Sequence, residues 1–191
     1  MKETNTYKKL KGKARDNFPE CIVVHHSGGT QSDPLADTSH HTATVMETGH
    51  LSLGWEGLGY HYVIHKDGEV WKGRPEHYHG AHVKEDDMNT KSIGICLAGN
   101  FDVTLPTKEQ ELSLIDLIKD IRSRANLTVY PHRYFLGNPP YKSCYGKRLT
   151  DEWIKNLLKP VVIEDKKVRL KSNLLRILEE LKNAVLELLG L

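Results

Sequence analysis

Apolar positions along the chain fall into short unbroken runs and longer 3.6-residue stripes. Cys21-Ile22-Val23-Val24 is an unbroken apolar run, so residues 20–25 read as a buried central strand ending at His25. Ile93 to Ala98 is a second such run, and Leu127 to Tyr130 is a short β-prone stretch leading into His132. Tyr60–His65 and Val70–Gly73 flank Lys66-Asp67-Gly68-Glu69, a hairpin turn signal. Helical spacing appears over residues 38–50, with Val45 and Met46 on the expected inner face. It appears again after the capping-box start Thr107-Lys108-Glu109-Gln110, where Leu114, Leu117, Ile118, Ile121 and Ala125 share a face. Thr150 is the expected cap of a last helix whose Trp153, Ile154, Leu157 and Leu158 face inward. Strands interleaved with helices predict an α/β domain, a mixed central sheet flanked by helices.

Past a boundary near Pro160, Leu170, Leu174, Ile177, Leu181, Ala184, Leu188 and Leu191 recur at alternating spacings of four and three. This is an a/d seam, and residues 161–191 are expected to form an amphipathic helix that oligomerises the chain. The chain thus divides into residues 1–19, 20–160 and 161–191, a size that fits one domain of about 150 residues plus extensions. No internal repeat or low-complexity tract is found.

Charge alters the picture at one end. The net charge is +2, yet residues 1–15 hold six bases (Lys2, Lys8, Lys9, Lys11, Lys13, Arg15) against Glu3. Residues 1–19 therefore read as a solvated basic arm, attracted to anionic envelope polymers. No nucleic-acid role is assigned to it. The N-terminus carries no apolar h-region and no run is long enough to span a membrane, so the chain is expected to be made and kept in a cytoplasm. Three cysteines without framework spacing argue against disulfides, and Cys21 and Cys96 fall within core strand patterns.

Cys144 is different. It lies in a Pro/Gly/Tyr-rich loop twelve residues after His132. His25, His132 and Cys144 make a three-ligand set suited to zinc, and three protein ligands leave a position open for chemistry. Copper in an electron-transfer site is the open alternative, although Met1, Met46 and Met88 are all far from Cys144 in sequence.

Ordered blocks across residues 20–158 resemble the zinc-dependent N-acetylmuramoyl-L-alanine amidase family. That family includes phage wall-lysing amidases, bacterial wall-recycling amidases and animal peptidoglycan recognition proteins. The blocks are Ile22-Val23-Val24-His25-His26-Ser27; His50 with Gly54-Trp55; and Gly59-Tyr60-His61-Tyr62-Val63-Ile64. Gly80-Ala81-His82, Ser92-Ile93-Gly94-Ile95-Cys96-Leu97-Ala98-Gly99-Asn100, His132-Arg133 and Lys142-Ser143-Cys144 complete them. One departure is the segment Tyr134 to Tyr141, a longer loop than the family has between its last ligands, so the groove wall there should differ.

The resemblance implies the amidase and recognition-protein fold and hydrolysis of the bond between N-acetylmuramic acid and L-alanine in peptidoglycan. His25, His132 and Cys144 would hold Zn2+. Tyr60 would orient water or relay its proton, and Lys142 would stabilise the oxyanion. His50, His82 and Trp55 would line the groove or support the site. His61 alternates with Tyr60 and reads as core or support. His26, His40, His41, His65, His77 and His79 read as surface groups. A bacteriolytic phage endolysin released to the wall at host lysis is the favoured role. A cytosolic muropeptide-recycling amidase and a non-catalytic wall-binding module are the alternatives.

Overall fold

The computed structural model describes residues 1–159. Residues Met1–Leu158 form one compact unit. The expected amphipathic helix and oligomerisation segment at 161–191 lie outside the described residues.

The elements are β1 (Lys2–Glu3), α1 (Asn5–Leu10), β2 (Cys21–His26), α2 (Ala43–Ser52), β3 (Tyr62–Ile64) and β4 (Val70–Lys72). A 3-10 segment, Glu85–Thr90, precedes β5 (Ser92–Leu97). Then come α3 (Lys108–Arg124), β6 (Thr128–Pro131), a 3-10 turn at His132–Phe135 and α4 (Asp151–Leu157). The six strands make one mixed sheet in the order β1-β4-β3-β5-β2-β6. Among the described residues only β3 and β4 pair antiparallel; β2 is parallel to both β5 and β6, with Val24 opposite Pro131. This is the expected α/β class with a mixed central sheet. Among the described residues, no helix is long and apolar enough to cross a membrane.

Both faces of β2 and β5 are buried, which is why their sequences run apolar without alternation. Ile22, Val24, Ile95 and Leu97 pack with Leu114, Ile118 and Ile121 of α3. Val63 and Cys96 pack on the other face with Ala43 and Met46 of α2. Thr107 caps α3 with a full capping box, as its sequence predicts.

Three local expectations need correction. α2 starts at Ala43 rather than 38, because Thr42 accepts the Val45 N–H and the preceding residues are held in side-chain turns by Asp33 and Asp37. Val45 consequently faces solvent, and Met46 and Glu47 point inward. Thr150 precedes α4 in extended conformation, but its side chain makes no capping bond.

The third correction concerns residues 1–19, expected as a solvated arm. β1 instead pairs parallel with β4, and Thr4, Thr6, Leu10 and Asn17 are buried. All six bases stay exposed. A dense charge run hid a small inner face. Thr6 gives both its N–H and its hydroxyl to buried Glu47 at 2.5 Å, tying α1 to α2.

Candidate metal centre

His25 stands at the C-terminal end of central strand β2, only 1% exposed, so the sheet fixes its position. His132 follows directly on the neighbouring strand β6. Their ring centroids are 4.5 Å apart. Cys144 arrives from the loop before α4, with Sγ 3.6 Å from His25 Nδ1. One ligand atom from each of His25, His132 and Cys144 lies within 4.8 Å of the other two. These three form a group that could hold a metal ion.

The chemistry of the donors fits a metal. Burial first, and then neighbouring imidazoles, push His25 well below its ordinary pKa; burial pushes His132 down to about 4. Both rings are therefore neutral near pH 7, the form that offers a lone pair. Burial pushes the Cys144 thiol up to about 12, a penalty that a bound dication reverses. His132 Nε2 is buried without a hydrogen-bond partner, 3.9 Å from Glu85 Oε2.

Support for His25 comes from His82, whose Nδ1 lies 3.0 Å from His25 Nε2. With His25 Nδ1 turned toward Cys144 to ligate, a proton on Nε2 would be donated to His82, whose own Nε2 is buried without a partner. The His82 ring fits because Gly80 and Gly94 have no Cβ; one added at Gly94 would lie 2.6 Å from the ring.

The centre opens into a groove of about 850 Å³ lined by Trp55, Tyr60, His82 and Lys142 besides the three donors. Tyr60 packs 5.2 Å from the His25 ring, and burial together with Cys96 and Cys144 pushes its hydroxyl well above the ordinary phenol range. Lys142 is exposed on the rim. His50 is not among the groove-lining residues. It packs on Trp55 at 4.5 Å and accepts the Gly59 N–H, so it braces the loop that carries Trp55.

Of the remaining histidines, His61 is fully buried: Nε2 donates to the Tyr78 carbonyl and Nδ1 accepts from Gly94. His26, expected at the surface, is 7% exposed and accepts the Phe101 N–H. Alternation along β2 turns it to the face opposite His25, and that face is also covered. His65 accepts the Ala43 N–H at the start of α2.

Sequence reasoning missed Asp102, Glu85 and Tyr141. Asp102 and Tyr141 line the groove, and Tyr141 donates to Glu85 at 2.5 Å across its end. The unusual length of the 134–141 loop was the only signal for this contact.

The family model described as N-acetylmuramoyl-L-alanine amidase matches residues 15–147. The chain belongs to that family. Peptidoglycan-recognition protein SC2 of Drosophila melanogaster is 31% identical over 121 residues, spanning 61% of this chain and 65% of its own length. The N-acetylmuramoyl-L-alanine amidase of Sus scrofa is 31% identical over 120 residues, again 61% of this chain but 19% of its own length. This amidase-family chain therefore spans less than two thirds of those relatives. The endolysin N-acetylmuramoyl-L-alanine amidase LysCS from Clostridium intestinale superimposes with a TM-score of 0.64 at 29% identity, covering 82% of this chain and 93% of LysCS.

Proposed function

We propose that the protein is a zinc-dependent amidase that hydrolyses the bond between the lactyl group of N-acetylmuramic acid and L-alanine in bacterial peptidoglycan. The observation that carries this reading is the convergence of His25, His132 and Cys144 on the floor of an open groove. A zinc ion held there supplies Lewis acidity, acidifying water and polarising the scissile carbonyl. The protein's own groups do the rest. Tyr60, a neutral phenol at pH 7, orients the attacking water and relays its proton rather than acting as a strong base. Lys142 brings a positive charge to the rim, where it stabilises the developing oxyanion. His82 holds His25 in one tautomer, Trp55 offers an apolar wall to the substrate, and His50 keeps Trp55 in place.

The likeness to the Clostridium endolysin supports a wall-lytic, endolysin role over muropeptide recycling. The exposed bases of residues 2–15 add attraction to anionic envelope polymers. Oligomerisation through residues 161–191 would raise avidity for a polymeric wall.

The test is mass spectrometry of purified sacculi after digestion. The expected result is new free L-alanine amino termini without new reducing ends. Sacculi that are bound but left uncut would replace the enzyme with a wall-binding module.

A further inference from the structure

We propose that Asp102 is a positioning residue that holds the Cys144 thiol in place at the metal centre. The inference rests on the metal-binding reading of that centre. Between the turn ending at Phe135 and α4, the chain has no regular element, yet it must deliver Sγ to a fixed point beside His25. Metal ligands must meet distances within about 0.2 Å, so a free loop would bind poorly.

Asp102 supplies the restraint. Its Oδ2 accepts the Ser143 hydroxyl at 2.8 Å and its Oδ1 accepts the Lys147 N–H at 2.7 Å. The two donors bracket Cys144 in sequence, so one carboxylate closes the loop over the thiol. Asp102 is itself anchored. Its N–H donates to Asn100 Oδ1, and fully buried Asn100 donates to the carbonyls of Pro34 and Ala36.

The loop lies directly on the neighbouring residue. Arg148 N–H donates to the Phe101 carbonyl at 3.0 Å. Gly146 has φ +115, and a Cβ there would come within 2.5 Å of Phe101. On the far side, Arg133 donates to the carbonyls of Gly146 and Leu149. The Cys144 segment is thus clamped between Asp102 and Arg133, and only Asp102 reaches both flanks of the cysteine through its carboxylate.

The experiment uses the full chain and compares wild type with Asp102→Asn and Ser143→Ala. A carboxamide keeps the shape but loses the charge and has a single acceptor oxygen, so the Ser143 hydroxyl can stay bonded only by turning to accept from the NH2 group, a weaker neutral contact. Zinc affinity, measured by chelator competition, should fall about 10- to 100-fold in Asp102→Asn. Ser143→Ala, which removes one bond and no charge, should fall between that variant and wild type. In cobalt-loaded protein, the thiolate-to-cobalt charge-transfer band should weaken in Asp102→Asn at saturating metal. A purely structural role would lower the melting temperature of the metal-free protein and leave affinity and the thiolate band unchanged; that result would overturn the proposal. Equal affinity in all three proteins would overturn it as well. A wild-type chain that takes up neither zinc nor cobalt would instead overturn the metal reading on which it rests.

Discussion

His82 Nδ1 sits 3.0 Å from His25 Nε2, so a second imidazole fills the place that a carboxylate or carbonyl commonly takes behind a metal-ligating histidine. A neutral acceptor fixes the tautomer of His25 without adding a buried charge. His82→Ala should leave His25 free to turn and weaken metal binding about 10- to 100-fold in a chelator competition. Gly94→Ala should act on the same contact from behind, because its Cβ would lie 2.6 Å from the His82 ring. Overpacking of this kind typically costs about 1–3 kcal/mol, readable as a lower melting temperature. Unchanged metal affinity in both variants would remove His82 from the support of the site.

Tyr60 and Lys142 should separate catalysis from metal binding. Tyr60→Phe and Lys142→Ala are expected to keep bound metal, assayed by elemental analysis, while turnover on sacculi falls about ten- to ten-thousand-fold. Cys144→Ser should lose both together. Wild-type turnover in Tyr60→Phe and Lys142→Ala would contradict the roles given to them.

Glu47 should matter for folding alone. It is 3% exposed and accepts two bonds from Thr6, more than 20 residues away from any metal-donor position in sequence. Glu47→Ala leaves the Thr6 donors buried without an acceptor, at a cost of about 1–3 kcal/mol in urea unfolding. Metal stoichiometry of the folded fraction should stay as in wild type.

Acid should destabilise the metal-free protein earlier than its carboxylates require. Burial pushes His50 and His61 down to about 4. In the unfolded chain both titrate near ~6.5. Between those values the unfolded state takes protons that the native state refuses, so stability rises with pH across the window. It is complete above pH ~6.5 and is lost as pH falls toward 4. Fully buried His61 alone should contribute a slope of about 1.4 kcal/mol per pH unit. Denaturant unfolding at steps from pH 4 to 7 measures this. A profile that stays flat until the carboxylates titrate would contradict it.

The three residues that the structure brings together, His25, His132 and Cys144, were legible because each carries its own local mark. His25 ends an apolar run, His132 ends a β-prone stretch, and Cys144 sits in a Pro/Gly/Tyr-rich loop rather than in a strand pattern. The capping box at Thr107 and the α3 stripe were equally local. What stayed hidden depends on distance. Asp102 is an ordinary acid in a turn until its partners, 41 and 45 residues onward, fold beside it. The inner face of residues 4–10 is three side chains among many lysines, and only the Glu47 and β4 contacts reveal it. His26 looked like surface because the apolar run stops at Val24 and the expected strand at His25, whereas β2 and its cover extend through His26.

The parallel pairing of β2 with β6 ends with Val24 against Pro131, and His25 and His132 are the residues that follow that last pair. The two imidazoles are thus brought together by strand pairing, whatever the length of chain joining them. As far as this pair is concerned, loops between residues 27 and 127 can grow or shrink freely. One residue inserted within either strand would carry a ring about 3.3 Å along the sheet and turn it to the opposite face. Tolerance to insertion should therefore fall abruptly at the strand boundaries, marking out the centre in a scan that never assays metal.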